Sequence, residues 1–269
     1  MSDTTTTPEK PKTLSSPRRA FVKKNGKKLL KAVSIYQSRQ SVVPDTPKIP
    51  NEYFEFLNYF TDAWEAIRDE AKEVLKYRDA IPGFEDVSPD QYRIAKEKQW
   101  KTFVLFGFGQ KLEKNAKLAP RTCEILEKVP NLQTAWFSIL APGYHIPAHT
   151  GVTKGIVRAH LGLLIPEAYE KCRIRVDDTI TAWKPGEIFV FDDTYEHEVW
   201  NDTDEERVIL LFDFNRPMKL GGRILNKIMM SAMKMTAFYQ DPKKNLQDAE
   251  TRLEAAIRQN DANLEDLSN

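Results

Sequence analysis

The chain has 269 residues, of which 41% are hydrophobic and 29% charged, enough apolar material to bury the core of one catalytic-sized domain with decoration, or of two domains at most. A formal net charge of +1 gives no bulk attraction to nucleic acid, and two cysteines exclude a disulfide framework. No run of about 18 apolar residues exists to span a bilayer as a helix.

Residues 1–17 are polar and low in complexity, the composition of a disordered tail. Charge is uneven here: residues 1–31 hold nine Lys/Arg against Asp3 and Glu9. Residues 18–37 mix Lys/Arg pairs with Phe21, Leu29, Leu30, Val33 and Ile35, interrupted by Gly26. This segment reads either as a basic amphipathic helix resting on an anionic membrane surface or as a solvated arm. There is no secretory signal, and Cys123 and Cys172 read as reduced thiols, so the expected setting is cytoplasmic, with peripheral membrane contact through residues 18–37 as an option. Pro44, Pro47 and Pro50 mark a linker that closes the arm at residue 50.

From residue 51 to 78, Phe54, Leu57, Phe60, Trp64, Ile67, Ala71, Val74 and Leu75 recur at spacings of three and four, which predicts an amphipathic helix. A shorter helix is expected over 120–128, with Pro120 at its start. Between Trp100 and Pro217 the texture changes to eight short β-branched and aromatic runs broken by Pro, Gly and Asp: KTFVLFGF, LQTAWFSILA, GIVRAHLGLLI, CRIRV, TITAW, EIFVFDD, HEVWN and RVILLFDF. Eight strands separated by turns predict a mainly β fold with flanking helices, a sandwich or jelly roll. The expected division is an arm and linker over 1–50, a catalytic domain over 51–217 and a helical extension over 218–269.

All four histidines, His145, His149, His160 and His197, fall within this strand zone, and His149 reads as lying in a turn, HTG, that follows PGYHIPA. Neutral imidazole suits iron, copper or zinc. Period-two alternation puts Arg158, His160 and Gly162 on one face of a strand, with Val157, Ala159, Leu161 and Leu163 on the other. A cation and an imidazole on an inward face are costly unless an anion or a metal receives them; the plainer reading is a wet edge strand. Asp193 and His197 flank a tight connection, Arg207 opens a very apolar strand, and Ser138 lies opposite Phe137 and Ile139. An arginine so placed can grip a carboxylate in a bidentate pair.

With these residues in hand, four blocks, SILAPGYHIPAHTG, RAHLGLLIP, FDDTYEHEVWN and DFNRP, make the chain resemble the aspartyl/asparaginyl β-hydroxylase family over about residues 52–219, on the side of its bacterial lipid A hydroxylase branch. The resemblance implies a double-stranded β-helix, cupin-like core and an Fe(II)/2-oxoglutarate-dependent dioxygenase. It implies iron held by His149 and His197, with Gly151 where related oxygenases carry a carboxylate, so that water completes the site. It further implies 2-oxoglutarate held by Arg158 and His160 at its 1-carboxylate end and by Arg207 and Ser138 at the other. Asp193 is then either an orienting catalytic residue or a turn cap, and His145 a pocket-lining or structural residue. Val152, Thr153 and Lys154 depart from the family pattern beside the cofactor site.

The expected reaction consumes dioxygen and 2-oxoglutarate, releases succinate and carbon dioxide, and hydroxylates an unactivated C–H. The substrate reads as a lipid A-type acyl chain, with a peptide, an amino acid or another small molecule as alternatives. A non-catalytic iron- or oxoglutarate-binding jelly roll competes with this reading, as does a zinc hydrolase, which fits poorly beside Arg158 and Arg207.

Overall fold

The structure, a computed structural model, describes residues 31–235 and 237–267. Most of the basic segment expected over 18–37 lies outside the described residues; its last part, with residues up to 40, forms helix α1 (31–40). No helix among the described residues is long and apolar enough to cross a membrane.

All eight predicted runs are strands, and they build two antiparallel sheets. In the larger sheet the order is β1 (Lys48–Ile49), β9 (Ile188–Phe191), β6 (Ile156–Leu164), β11 (Arg207–Asn215), β4 (Leu132–Leu140), β2 (Trp100–Gly107) and β3 (Gln110–Lys111). The smaller sheet runs β5 (His145–His149), β10 (His197–Asn201), β7 (Cys172–Val176) and β8 (Thr179–Ala182). The two sheets face each other as a jelly roll of the cupin kind.

Alternation along the long strands separates two cores. Val157, Ala159, Leu161 and Leu163 of β6 join Val208, Leu210, Phe212 and Phe214 of β11 on the outer face, beneath helices. Trp136 and Leu140 of β4 and Ile209 and Leu211 of β11 look the other way, into the space between the sheets, against Ile174, Trp183, Phe191 and Val199. Arg158, His160, Arg207 and Ser138 belong by parity to this inner face, so the polar residues picked out in the sequence converge inside the roll.

The single helix expected over 51–78 is broken. Two 3-10 turns (Asn51–Tyr53 and Glu55–Leu57) lead into α2 (Asn58–Asp62) and α3 (Trp64–Leu75). Phe54 leaves helical geometry at φ −137°, ψ 77°, and Ala63 at φ −116°, ψ 13°. The breaks let one apolar stripe follow the twisted sheet: Phe60 stacks on Phe212 with centroids 4.6 Å apart, and Phe54 meets Phe214 edge-on at 5.3 Å. The expected short helix is α6 (Pro120–Leu126), with Pro120 in its first turn, where its missing N–H costs nothing. The Pro-rich stretch before residue 51 adds edge strand β1, Ile49 pairing with Val190.

Two short helices are α4 (Phe84–Val87), which lines the open end of the roll, and α5 (Glu113–Ala116), whose Ala116 joins the outer core. Beyond the last strand come α7 (Leu220–Met233) and α8 (Ala237–Leu267). Leu246 and Leu253 of α8 are buried, so this extension packs on the domain.

Candidate active site

His149, expected in a turn, instead ends strand β5. There it pairs across the ladder with His197 on β10, the two residues being Cα partners. The pairing sets the two rings 4.1 Å apart between centroids. Each ring is oriented by its own backbone: Nδ1 of His149 lies 2.8 Å from the Pro147 carbonyl, and Nδ1 of His197 lies 3.0 Å from that of Tyr195. A carbonyl only accepts, so both Nδ1 atoms carry the proton and both Nε2 lone pairs are left for a metal. Burial pushes the His149 imidazole down to about 4 and that of His197 down to about 3. Both rings are therefore neutral, the form that ligates.

Among the described residues no cluster of three or more His, Cys, Asp or Glu is arranged to hold a metal. The residue two past His149 is Gly151, and its place is closed to a side chain. A Cβ there would meet Asp193 Oδ1 at 2.2 Å. The Asp193 carboxyl fills that space, and Gly151 N–H donates to the Asp193 backbone carbonyl at 2.7 Å. Burial raises the Asp193 carboxyl to about 6, against the pull of Arg158, whose Nη2 is 3.7 Å away. Gly151→Asp, which would complete a carboxylate-bearing ligand set on paper, is thus expected to destabilise by roughly 1–3 kcal/mol through overpacking. Asp193→Gly should restore most of the loss in the double variant, a coupling that thermal unfolding measures directly; purely additive losses would contradict this packing.

Arg158 sits where parity predicts, but its fork is engaged: Nε donates to Asp213 Oδ1 at 2.7 Å and Nη2 to Oδ2 at 2.9 Å. Burial opposes its charge, and the Asp213 carboxylate more than compensates, raising the guanidinium above its ordinary range. Thr134 Oγ1 also donates to Asp213, at 2.8 Å.

Deeper in the roll, Arg207 is 2% exposed, and none of its nitrogens has a carboxylate partner among the described residues. Its Nη2 reaches Ser138 Oγ at 3.5 Å, and Ser138 already accepts from Trp100 Nε1 at 2.9 Å. Its guanidinium lies over the Trp183 ring, 4.8 Å from the centroid. Burial drags Arg207 down to about 10, so it remains a cation. Beside it His160, wedged between Trp183 and Phe191, has both ring nitrogens buried and unpartnered, as are Trp183 Nε1 and Arg207 Nε. Burial also pushes the His160 imidazole well below its usual value. Buried donors without acceptors cost about 1–3 kcal/mol each, and gathered around an unneutralised cation they form a receptor for a carboxylate. Phe191 links the two groups, 4.9 Å from His160 and 5.6 Å from His197 between centroids.

The structure therefore gathers His149, His197, Asp193 and Arg158 at one place, and His160, Arg207 and Ser138 just behind it. His145 is not with them. It lies on the outside of the smaller sheet, stacked on Trp200 at 5.1 Å and 3.1 Å from Glu198 Oε2, a structural residue. Asp213 and Trp183 escaped the sequence reading, although Asp213 stands in the DFN motif. So did a buried network behind the site loops, in which Asp192 accepts from Arg216 and, at 2.8 Å, from Lys154 Nζ. Lys154, a departure from the family pattern, thereby ties its loop to the segment carrying Asp193.

A cavity of about 250 Å³ opens from the histidine pair toward the C-terminal helices. Trp100, Val104 and Trp136 line it from the roll, Phe84 and Val87 from α4, and Met230, Met233, Pro242 and Leu246 from α7 and α8.

A cupin-type jelly roll with two neutral histidines at the mouth and a buried cation behind them defines a class of site, and sequence comparison says which. The chain belongs to the aspartyl/asparaginyl β-hydroxylase family, whose model matches residues 61–217. It is 43% identical to the ornithine lipid ester-linked acyl 2-hydroxylase of Rhizobium tropici over 71% of this chain and 68% of that protein. It is 36% identical to the human aspartyl/asparaginyl β-hydroxylase over 64% of this chain but only 22% of that protein. A Pseudomonas putida prolyl-4-hydroxylase structure superposes with a TM-score of 0.36 at 18% identity, covering 58% of this chain and 88% of that one. The chain is accordingly an enzyme, a hydroxylase.

Proposed function

We propose that the chain is an Fe(II)- and 2-oxoglutarate-dependent dioxygenase that hydroxylates an acyl chain of a membrane lipid. One observation carries the reading: two neutral imidazoles and a buried guanidinium without an anion among the described residues share one interior, joined through Phe191, His160 and Trp183. Two buried histidines with Nδ1 fixed by carbonyls fit a divalent metal, and the unpartnered donors around Arg207 fit the far carboxylate of a keto-diacid. Iron, 2-oxoglutarate and dioxygen together supply the oxidising power for C–H hydroxylation, with succinate and carbon dioxide as co-products.

The residues of the chain would then bind and orient. His149 and His197 hold the metal through Nε2. Arg207 and Ser138 take the 5-carboxylate. His160 turns a ring N–H toward the 1-carboxylate, and Arg158 lends its charge to that end while held by Asp213. Asp193, whose carboxyl fills the space beside Gly151, would accept from a water that completes the metal site. Trp100 and Trp136 keep bulk water out. The apolar lining that runs from the histidines to Met230, Met233 and Leu246 supports an acyl chain over an acidic peptide. That support agrees with the activity named for the Rhizobium tropici relative. The expected site of work, peripheral on a membrane, belongs to the same proposal.

The test is oxoglutarate-to-succinate conversion with ferrous iron, run separately with ornithine lipid, a lipid A-type acyl substrate, an aspartyl peptide and free amino acids. Lipid-stimulated succinate with a hydroxyacyl product is expected. Stimulation by the peptide alone would overturn the substrate, and no oxoglutarate consumption under any condition would leave a non-catalytic binder.

A further inference from the structure

We infer that α7, with the adjoining α1, forms a docking face for an anionic lipid bilayer. On α7 the large apolar residues that a soluble helix would hide are outside: Leu220 is 68% exposed, Ile224 53% and Ile228 61%. They stand four residues apart and so form one stripe, since a helix turns about 100° per residue. Arg223 and Lys227, also exposed, run alongside it, while Gly222 and Asn226 on the other side are buried.

The charge carried by the two helices themselves has one sign, the nearest acid being Asp45, which accepts from Ser38 of α1 and pairs with Lys154. There is no Asp or Glu from residue 215 to 240, nor from 31 to 44. Lys31 and Arg39 on α1, with Lys219, Arg223 and Lys227, are exposed and have no ion-pair partner among the described residues. A face that is apolar along one stripe and cationic along the next matches the boundary between acyl chains and anionic headgroups. A protein partner would have to supply matching acids as well as apolar cover.

The face is rigidly joined to the site. Gln37 of α1 donates to Asn226 of α7 at 3.1 Å, and Asn226 donates to the Gly155 carbonyl at 2.9 Å. Thr153 Oγ1 closes the set by donating to Gln37 at 3.2 Å. Gly221 and Gly222 let α1 approach, since a Cβ on either would come within 2.6 Å of Tyr36 or Gln40. The loop so held carries Val152, which is 54% exposed and lines the cavity, and the inner side of α7 contributes Met230 and Met233. One helix thus presents its outer stripe to the bilayer and its inner stripe to the path toward His149 and His197.

The docking face does not depend on the reaction proposed above, and the experiment keeps the two apart. The full chain is sedimented with vesicles of phosphatidylcholine alone and of phosphatidylcholine mixed with phosphatidylglycerol. Binding to the mixed vesicles is expected to exceed that to neutral ones by about tenfold and to weaken with salt. Ile224→Asp/Ile228→Asp should lower it by about a further hundredfold, with thermal unfolding and hydroxylation of a detergent-dispersed acyl substrate unchanged. A double variant that binds like the parent would overturn the inference, since the basic N-terminal residues would then carry binding alone. So would a dimer that the double variant breaks without any vesicle binding by the parent. Hydroxylation of dispersed lipid by a protein that ignores vesicles defeats the docking face only. Vesicle binding by a protein that consumes no oxoglutarate defeats the reaction only.

Discussion

Arg207→Met should make the metal-free protein more stable and at the same time nearly inactive. The two effects have one cause. Arg207 is fully inside the roll, charged, and without a carboxylate. Burial drags the guanidinium down to about 10, which corresponds to a burial cost of about 3 kcal/mol. The sign is clear: a cation whose proton is held less tightly in the fold than in the open chain works against folding wherever it is charged. Methionine fills much the same volume without that cost, so a gain of about 1–3 kcal/mol in urea unfolding is expected. In the proposed reaction the cosubstrate would lose the buried cation facing its far carboxylate, which costs about 3–5 kcal/mol, or about 10²–10⁴-fold in the 2-oxoglutarate requirement. Arg207→Lys should lie between, because a point charge replaces the bidentate fork. Normal succinate release by Arg207→Met at low oxoglutarate would remove Arg207 from the site, and a lowered stability would show that it is a structural pair partner after all.

The metal-free protein should also lose stability steeply on mild acidification. His149 and His197 are held at about 4 and about 3, while an unfolded histidine titrates near 6.5. As pH falls through 6.5 the unfolded chain binds protons that the fold refuses, so the stability present above 6.5 drains away toward the folded values. By about pH 5 the two rings together cost about 4 kcal/mol, and His160, also depressed by burial, adds to the trend. Asp193 acts in the opposite direction. Its carboxyl is raised to about 6, so it gains its proton in the fold first and returns about 1 kcal/mol over the same interval. A net fall of about 3 kcal/mol between about pH 7.5 and pH 5 is therefore expected in urea unfolding. His149→Gln/His197→Gln should flatten the profile, and in the proposed site added ferrous iron should lift stability where the rings are unprotonated. An unchanged midpoint across that interval would mean the rings are solvated, and their convergence on a metal would fall with it.

Much of the site could be read from local pattern. Period-two alternation in RAHLGLL placed Arg158 and His160 on one face before any sheet was known, and β6 keeps that parity. Alternation equally set Ser138 against Phe137 and Ile139. Where the reading failed, the deciding contact was distant. Arg158 meets Asp213 because β6 and β11 pair in that register, across 55 residues of chain. Trp183, just beyond the end of β8, reaches Arg207 only because the two sheets close on each other. His149 looked like a turn residue because its strand begins only at His145, is interrupted by Pro147 and has almost no alternation to show. The pairing partner β10 makes it a strand. The continuous helix expected over 51–78 failed for a related reason: its apolar spacing was right, but a straight helix cannot follow a twisted sheet.

The amino-acid sequence alone determined the eight strands that show as apolar runs, the shared face of Arg158 and His160, the face of Ser138, and the blocks that place the chain in its family. These are matters of neighbours one to four residues apart, and local stereochemistry settles them. The closed jelly roll decided the rest: which carboxylate answers Arg158, that Arg207 has none, that Asp193 occupies the space beside Gly151, and that α7 and α8 wall the cavity. Those outcomes depend on registers and packing between segments far apart in the chain, and a buried charge declares its need for a ligand only once every neighbour is in place.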